Sequence, residues 1–414
     1  MLLSEIISLF SIKLLIIIIA RIGVINFMSL NGLSLFSNVG IAELYFKKLG
    51  VEIVVANEIL DKRAKFYQEN YPNTEMIIGD IKKKKIFSKI VSLSRNKKID
   101  FIITTPPCQG MSNAGKKDKN DPRNELVTYA INIILKLKPK YVFLENVPQQ
   151  LKTFVNYKDR KILIPKYLKQ SLKKFYNFNE NEIVNAANYG VPQNRVRSIM
   201  LLTRKDLKYI WNTPKKNSNI KTLKDSIGNL PPLDPLIYDL DYKSHLKIFP
   251  EYEKKLVQAR TVSKWHIPPK HVYRQVLSMM YTPTGKSAFQ NEKNFRPKKN
   301  NGTYVQGFKN TYKRQTWNKP GYTITTYNRT IGSQENVHPG RLLKSNGSKI
   351  YSDPRVLTVY EIMKVMSIPT NWKVPNWCSE NFLRQVIGEG IPPLLVKHFF
   401  KELIKIDIKN VRKN

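Results

Sequence analysis

The chain has 414 residues, with 70 Lys or Arg against 31 Asp or Glu, a formal net charge of +39. Apolar residues make up 42%, which excludes a disordered basic tail, and the length suits two lobes better than one core. A polyanion, nucleic acid first, is the simplest partner for a folded protein this cationic, although a lysine-rich composition bias, an acidic substrate or a membrane patch satisfies the charge equally.

The N-terminus carries an unbroken apolar run from Leu14 to Ala20, flanked by Lys13 and Arg21. A membrane span needs about 20 apolar residues, and no small-x-small cleavage site is clear. The preferred reading starts the folded protein at Met28, leaving residues 1–27 without a structural role.

From Leu33 short apolar runs alternate with helical patterns. Strands are expected at 33–36, 51–56, 76–78, 101–105 and 141–144, with a helix between the last two carrying Leu126, Ala130, Ile134 and Leu137 on one face. Continuous apolar strands alternating with helices predict a buried parallel sheet, whose ligands bind beyond the strands' C-terminal ends. Those ends carry Asn38, Glu58, Asp80, Cys108 and Glu145. Ordinary turns also place Asn and Asp there; Cys and Glu are less expected. Residues 205–313 are rich in Lys, Asn, Pro and Tyr with weak periodicity, which fits a second lobe with long loops or an insertion that only covers the first. A compact pattern returns at 314–372, and 382–404 reads as a closing helix pair. The lysine run 82–85 reads as a solvated helix start.

Four constellations can carry chemistry. In Thr105-Pro106-Pro107-Cys108-Gln109-Gly110 two prolines stiffen the backbone before a thiol and a glycine turns it sharply afterwards. A lone cysteine is more often a small core residue, but this loop at a strand end is how a reactive thiol is held. In Phe143-Leu144-Glu145-Asn146-Val147-Pro148 the carboxyl can share a site with Cys108; partly desolvated, it would donate a proton near neutral pH. A turn or capping carboxylate is the bland alternative. In Gln193-Asn194-Arg195-Val196-Arg197 two arginines spaced by two are expected on one strand face, able to fork onto a phosphate or a base carbonyl, or to be a plain surface pair. The turn Phe36-Ser37-Asn38-Val39-Gly40, with Glu58 after the next strand, can hold ribose hydroxyls; it lacks G-x-G-x-x-G, so a nucleoside without pyrophosphate fits. Cys378, after Trp377 and away from any strand end, reads as structural. With two cysteines and five histidines in no zinc spacing, neither a disulfide framework nor a metal is expected.

Taken in order, these residues resemble the cytosine-5 DNA methyltransferase family, of the bacterial modification type, from about Leu33 to Phe400. Phe36 to Gly40 resembles its first cofactor motif, Pro107-Cys108-Gln109 its nucleophile motif, and Asp121 to Leu126 the segment after it. Glu145-Asn146-Val147 resembles the glutamate motif and Gln193-x-Arg195-x-Arg197 the arginine motif. Arg314, Pro320, Thr323 and Ile324 resemble the motif that braces the recognition region. Arg355 to Thr358 with Glu361, and Gln385 to Gly388 with Pro392-Pro393, resemble the last two segments. The family often has Gly at Asn38, Asp at Ser34, and Asn at Glu389.

The resemblance implies an α/β fold: a Rossmann-like S-adenosylmethionine-dependent methyltransferase domain with a smaller target-recognition domain. It implies a catalytic domain over 28–204, a target-recognition domain over 205–380, and a segment 381–414 returning to the catalytic domain. Cys108 would add to C6 of a flipped cytosine, Glu145 would bind N3 and the exocyclic amine, and Arg197 with Arg195 would hold the O2 side and nearby phosphate. S-adenosylmethionine is the implied cofactor, against Phe36, Asn38, Gly40, Glu58, Asp80, Ile81, Pro107 and Leu126. The implied partner is double-stranded DNA, methylated by a cytoplasmic bacterial monomer, with a cognate restriction endonuclease acting separately. An RNA cytosine-5 methyltransferase and a catalytically inactive DNA-binding protein remain the alternatives.

Overall fold

A computed structural model describes residues 29–107, 122–157, 160–308, 310–343 and 349–411. The expected start at Met28 and the segment 1–27 lie outside these residues, as do Cys108, Gln109, Gly110 and Asp121.

The aliphatic runs pair where the sequence places strands. β1 (Leu30–Leu35), β2 (Val51–Glu58), β3 (Glu75–Ile78), β4 (Phe101–Thr104) and β5 (Tyr141–Asn146) lie parallel in the order β3-β2-β1-β4-β5. After the antiparallel hairpin β6 (Phe154–Tyr157) and β7 (Arg160–Leu163), β8 (Tyr176–Asn185) and β9 (Val196–Arg204) complete the sheet antiparallel beyond β5. The chain leaves β1 in one direction for β2 and β3 and returns to its other side for β4 and β5. This order reversal opens a crevice at the C-terminal ends of β1 and β4.

Both faces are covered, which is why the central strands β4 and β5 are buried at every position rather than alternating. One face carries α2 (Lys84–Asn96), α3 (Leu126–Leu137) and α4 (Ile164–Leu172), with Ile90, Ile131, Ile134 and Leu168 packed on Leu33, Val55, Ile102 and Val142, whereas α1 (Asp61–Asn70) puts Tyr67 into the cluster on the opposite face. The lysine run does open α2. The other face is closed by the end of the chain.

In the second half α5 (Leu223–Ile227), α6 (Tyr242–Ile248), α7 (Tyr252–Val262) and α8 (Tyr273–Met280) are short and joined by long loops. A two-residue parallel pair, β10 (Leu236–Ile237) with β11 (Lys270–His271), lies among them. Then come α9 (Val359–Val365), α10 (Glu380–Glu389) and α11 (Pro393–Val411), the last two being the expected closing pair. Phe399, Phe400 and Leu403 of α11 cover Phe46, Phe101 and Phe143, and Trp211 joins that cluster, donating its indole N–H to the Phe399 carbonyl at 3.1 Å. A separate cluster joins Val39, Ile41 and Phe66 to Leu223, Ile227, Leu357, Ile362 and Val386. Packing on the first lobe thus continues past Arg204, where the composition changes, and two smaller cores built from 237–356 stand apart from it.

A buried charge cluster fastens these parts. Arg355 forks onto Glu361 at 2.8 and 2.9 Å and reaches Asp353 at 2.9 Å, all three fully buried. Glu361 also closes a capping box at α9, accepting from Thr358 N at 2.7 Å while Thr358 Oγ1 accepts from Glu361 N. Burial alone would raise the Glu361 carboxyl; Arg355 and His338 outweigh it and hold it at about 2. Burial keeps His338 neutral, at about 4. A carboxyl depressed below its ordinary 4.5 stabilises the fold above that pH and loses its contribution as pH falls towards 2. Glu361→Gln removes one arm of a buried pair and is expected to cost about 3 kcal/mol, read as a lowered denaturation midpoint at neutral pH. The difference from the parent should shrink in acid; a variant as stable as the parent at pH 7 contradicts this bracing.

Candidate active site

The chain turns sharply at the end of β1. Phe36 (φ 58°), Asn38 (φ 50°) and Gly40 (φ 76°) take left-handed backbone, which costs a side-chain-bearing residue and favours glycine or asparagine. That is why Asn can stand at 38 where the family often has Gly, and why β1 ends at Leu35 rather than at Phe36. Glu58, at the end of β2 and 5% exposed, ties the turn down. Its Oε2 accepts from Asn38 N at 2.9 Å, and its Oε1 from Ile59 N and Leu60 N at 2.9 and 3.0 Å. Asn38 Nδ2 donates to the Val386 carbonyl of α10 at 3.0 Å, and Asn38 Oδ1 is buried with no partner among the described residues. Ile59 and Leu60, next to Glu58, stay 56% and 48% exposed, an uncovered apolar lip.

Beneath the turn lies a group the sequence reading missed. Glu43 is buried and accepts from Ser34 Oγ at 2.6 Å and from the Tyr67 hydroxyl. Burial pushes its carboxyl up to about 7, despite both hydroxyls. Where the family often has Asp at position 34, this chain has a serine hydroxyl meeting a carboxyl nine residues on. The available signal was a lone Glu among Ile41, Ala42, Leu44 and Phe46.

At the end of β3 Asn57 of the neighbouring strand donates to the Ile77 and Gly79 carbonyls at 2.8 and 3.1 Å. Asp80 Oδ1 accepts from Lys82 N at 2.9 Å, and Ile81 is buried in the core. Leu126 opens α3 and packs partly buried on the same core.

At the other side of the crevice β5 runs through Glu145 and Asn146, two residues beyond the expected strand. Glu145 is 7% exposed, and its Oε1 takes Arg197 Nε at 2.9 Å across the antiparallel β5–β9 pair. Burial raises the Glu145 carboxyl above the usual range; Arg197 first and Arg195 second pull it back only in part. Asn146 Nδ2 donates to the Pro106 carbonyl at 3.0 Å, and its Oδ1 accepts from Val147 N at 2.8 Å. Thr105 Oγ1 reaches the Phe36 carbonyl at 3.4 Å. Pro106-Pro107, the lead into Cys108, is therefore anchored to the glutamate strand on one side and to the β1 turn on the other.

Arg195 is a correction. It does not share a strand face with Arg197, because β9 begins only at Val196. Arg195 is 1% exposed and donates to the carbonyls of Ile324, Gly388 and Gly390 at 2.8–2.9 Å. It braces the end of α10 and the loop after it against the sheet, and its charge bears on Glu145. Its neighbours do the same work. Gln193 Oε1 accepts from Ile324 N at 3.2 Å, Thr323 Oγ1 donates to the Asn194 carbonyl at 2.6 Å, and Asn194 N donates to the Gly321 carbonyl at 2.7 Å. Arg314 is fully buried on the carbonyls of Met279, His338 and Asp353.

Comparison with known proteins places this arrangement. A family model of C-5 cytosine-specific DNA methylases matches residues 30–405. Type II methyltransferase M1.HgaI of Avibacterium volantium is 41% identical over 377 residues, 90% of this chain and 97% of that protein. Type II methyltransferase M.XorII of Xanthomonas oryzae pv. oryzae is 26% identical over 400 residues, 90% of this chain and 84% of that one. Among solved structures, DNMT2 of Spodoptera frugiperda superposes with a TM-score of 0.55 at 17% identity, over 90% of this chain and 99% of that chain. The Entamoeba histolytica methyltransferase EhMeth superposes with a TM-score of 0.57 at 16% identity, over 92% and 99%. These two likenesses concern the fold. Among the described residues no helix is long and apolar enough to cross a membrane.

Proposed function

We infer, from the C-5 cytosine-specific DNA methylase family to which this chain belongs, how its own residues carry out methylation of cytosine C5 in DNA. The observation that carries the reading is the desolvated Glu145–Arg197 pair at the end of β5, linked through Asn146 to the Pro106-Pro107 lead into Cys108. A stacked cytosine cannot admit a thiolate over its ring face, so the base must leave the helix, at a cost of a few kcal/mol. The Cys108 sulfur then bonds to C6 while the N3 nitrogen takes a proton from Glu145, leaving C5 as an enamine carbon. Arg197 holds Glu145 in place and faces the O2 side. After methyl transfer, water takes the C5 proton, the C6–sulfur bond breaks to release the Cys108 thiolate, and N3 returns its proton to Glu145, which restores the aromatic ring.

S-adenosylmethionine supplies the methyl group when bound. The residues present fit it: the left-handed turn 36–40, the buried Asn38 Oδ1 awaiting a donor, the Glu58 carboxylate, and the apolar lip of Ile59 and Leu60, which suits a purine face. We assign Phe36, Asn38, Gly40, Glu58, Asp80, Ile81, Pro107 and Leu126 to this site, with Glu58 on the ribose hydroxyls. Charge-assisted hydrogen bonds are worth about 1.5–3 kcal/mol each. Glu58→Ala should therefore weaken S-adenosylmethionine binding at least tenfold in calorimetry and affect DNA binding less. Unchanged cofactor affinity moves the site elsewhere.

Within the proposed recognition domain, 205–380, we place the DNA-facing part between 234 and 312, because α5 and the 356–389 segment are packed onto the catalytic lobe. The net charge of +39 supports duplex DNA, where phosphate contacts dominate affinity. The likeness to Type II methyltransferases supports a restriction-modification setting, with a monomer modifying the site that a separate endonuclease cuts. Bisulfite sequencing of DNA from cells expressing the chain should show 5-methylcytosine at one recurring sequence. Conversion-resistant cytosines in RNA only would favour the RNA enzyme instead.

A further inference from the structure

The turn after β1 is closed at its base by one side chain. Ser34 and Glu43 flank the turn 36–40 on either side, and Ser34 Oγ donates to Glu43 Oε1 at 2.6 Å. The other carboxyl oxygen accepts from the Tyr67 hydroxyl of α1. The Tyr67 and Tyr71 rings, with centroids 4.6 Å apart, both lie against Gly40, where a Cβ would overlap Tyr71 and press on Tyr67. Tyr71 donates its hydroxyl to the Gly40 carbonyl at 2.7 Å, and Glu43 N donates to the same carbonyl at 3.2 Å. The chain of contacts thus runs from the strand before the turn, through Glu43 and two tyrosines, to the turn's last residue. A buried carboxyl costs stability that an apolar side chain of the same size would not. At position 43, which is 2% exposed, that cost secures a fixed geometry.

Resting on the assignment of the 36–40 turn and Glu58 to S-adenosylmethionine, we propose that Glu43 is a positioning residue that holds the two walls of the cofactor site in register. One wall is the left-handed turn itself. The other is Glu58 with the Ile59–Leu60 lip, and α1, which carries Tyr67, starts directly after that lip. Glu43 is bonded to both, through Ser34 on the strand that leads into the turn and through Tyr67 on the helix that leaves the lip. The Asn38 N to Glu58 Oε2 bond spans the same two walls at the rim, so Glu43 sets from below the separation that Glu58 reads from above. Without it the turn must be ordered when the cofactor arrives, and that ordering is subtracted from affinity. The methyl transfer itself does not involve Glu43, so its loss falls on cofactor binding and not on the chemical step.

The test uses the full-length protein, with steady-state methylation of DNA and calorimetric binding of S-adenosylhomocysteine. Glu43→Met fills the same space and makes neither hydrogen bond. It should raise KM for S-adenosylmethionine and weaken S-adenosylhomocysteine binding, roughly three- to tenfold, with kcat at saturating cofactor and DNA affinity little changed. Glu43→Gln should restore both, because an amide accepts from one hydroxyl and donates to the other. Tyr67→Phe and Tyr71→Phe each delete one hydroxyl and keep the ring, so they should reproduce part of the Glu43→Met effect. They also carry the test if Glu43→Met does not fold. Asp407 is the control: it is buried and accepts from the Tyr141 hydroxyl at 3.1 Å, at the start of β5 and so at the far end of the sheet from the crevice. Asp407→Ala should lower the denaturation midpoint without raising KM for S-adenosylmethionine; a rise matching that of Glu43→Met makes the role of Glu43 general stability and overturns the proposal. It is overturned equally if the folded variants keep the parent's cofactor affinity, if their loss falls on kcat, or if Glu43→Gln is as poor as Glu43→Met. Glu58→Ala separates the two readings. If it weakens cofactor binding while Glu43→Met and both Phe variants do not, only the positioning role falls; if it too changes nothing, the site assignment falls with it.

Discussion

Cys108→Ser is expected to abolish methyl transfer while DNA binding and cofactor binding persist. Addition to C6 needs an anionic nucleophile, and a serine hydroxyl stays protonated where a thiol can ionise. The two cysteines differ in what surrounds them. Cys378 is buried between Trp377 and Ser379, and burial pushes its thiol up to about 11, so it carries almost no thiolate at neutral pH. Cys108 follows Pro106-Pro107, whose carbonyl is gripped by Asn146 and whose preceding Thr105 rests on the β1 turn. DNA carrying 5-fluorocytosine at the target makes the distinction chemical. Fluorine cannot leave C5 as a proton does, so after methyl transfer the enzyme should stay attached, and peptide mapping should find the link at Cys108. A link through Cys378, or an active Cys108→Ser enzyme, overturns the assignment. Asn146→Ala offers a graded version: it frees the proline lead without touching the thiol, so kcat should fall while trapping still occurs, more slowly.

What the sequence made legible follows from the range of the forces involved. The five parallel strands could be read because burial on both faces demands unbroken apolar runs, a local signal. Their ends were less legible. β1 stops one residue early because Phe36 takes a left-handed backbone that its side chain gives no hint of. β5 runs on through Glu145 and Asn146 because β9 pairs with it from fifty residues away. The Thr358-x-x-Glu361 capping box is a local pattern, and it forms, but nothing local shows that Glu361 is also held by Arg355 and Asp353 in a buried cluster. Arg195 illustrates the same limit. Spacing by two predicts a shared face only inside a strand, and the carbonyls that capture this arginine belong to Gly388 and Gly390, almost two hundred residues further on. Glu43 was invisible for a related reason, since only the fold brings Ser34 and Tyr67 to it. The residues proposed to face a ligand were marked by their place at strand ends, whereas the residues that hold the surrounding loops were marked only by distant partners.

Glu145→Gln is expected to lower kcat by roughly 10²–10⁴, the span of a lost general acid, with S-adenosylmethionine binding unchanged. Glutamine keeps the shape and can still hydrogen-bond N3 and the exocyclic amine, so base binding should change little and the loss should fall on kcat. The pH profile separates proton donation from mere contact. Burial favours the neutral form of Glu145 and raises its carboxyl, with the Arg197 charge opposing. A raised acid keeps its proton to higher pH, so activity that needs this proton is present below the raised value and declines as pH climbs through it. Glu145→Gln should lack that declining limb. Arg197→Ala removes the largest influence holding the carboxyl down and should shift the limb to higher pH, while also reducing kcat because Glu145 loses the 2.9 Å contact that orients it. The opposite shift, or a Glu145→Gln enzyme within tenfold of the parent, would mean that the proton at N3 comes from another group and that Glu145 serves only to hold the base.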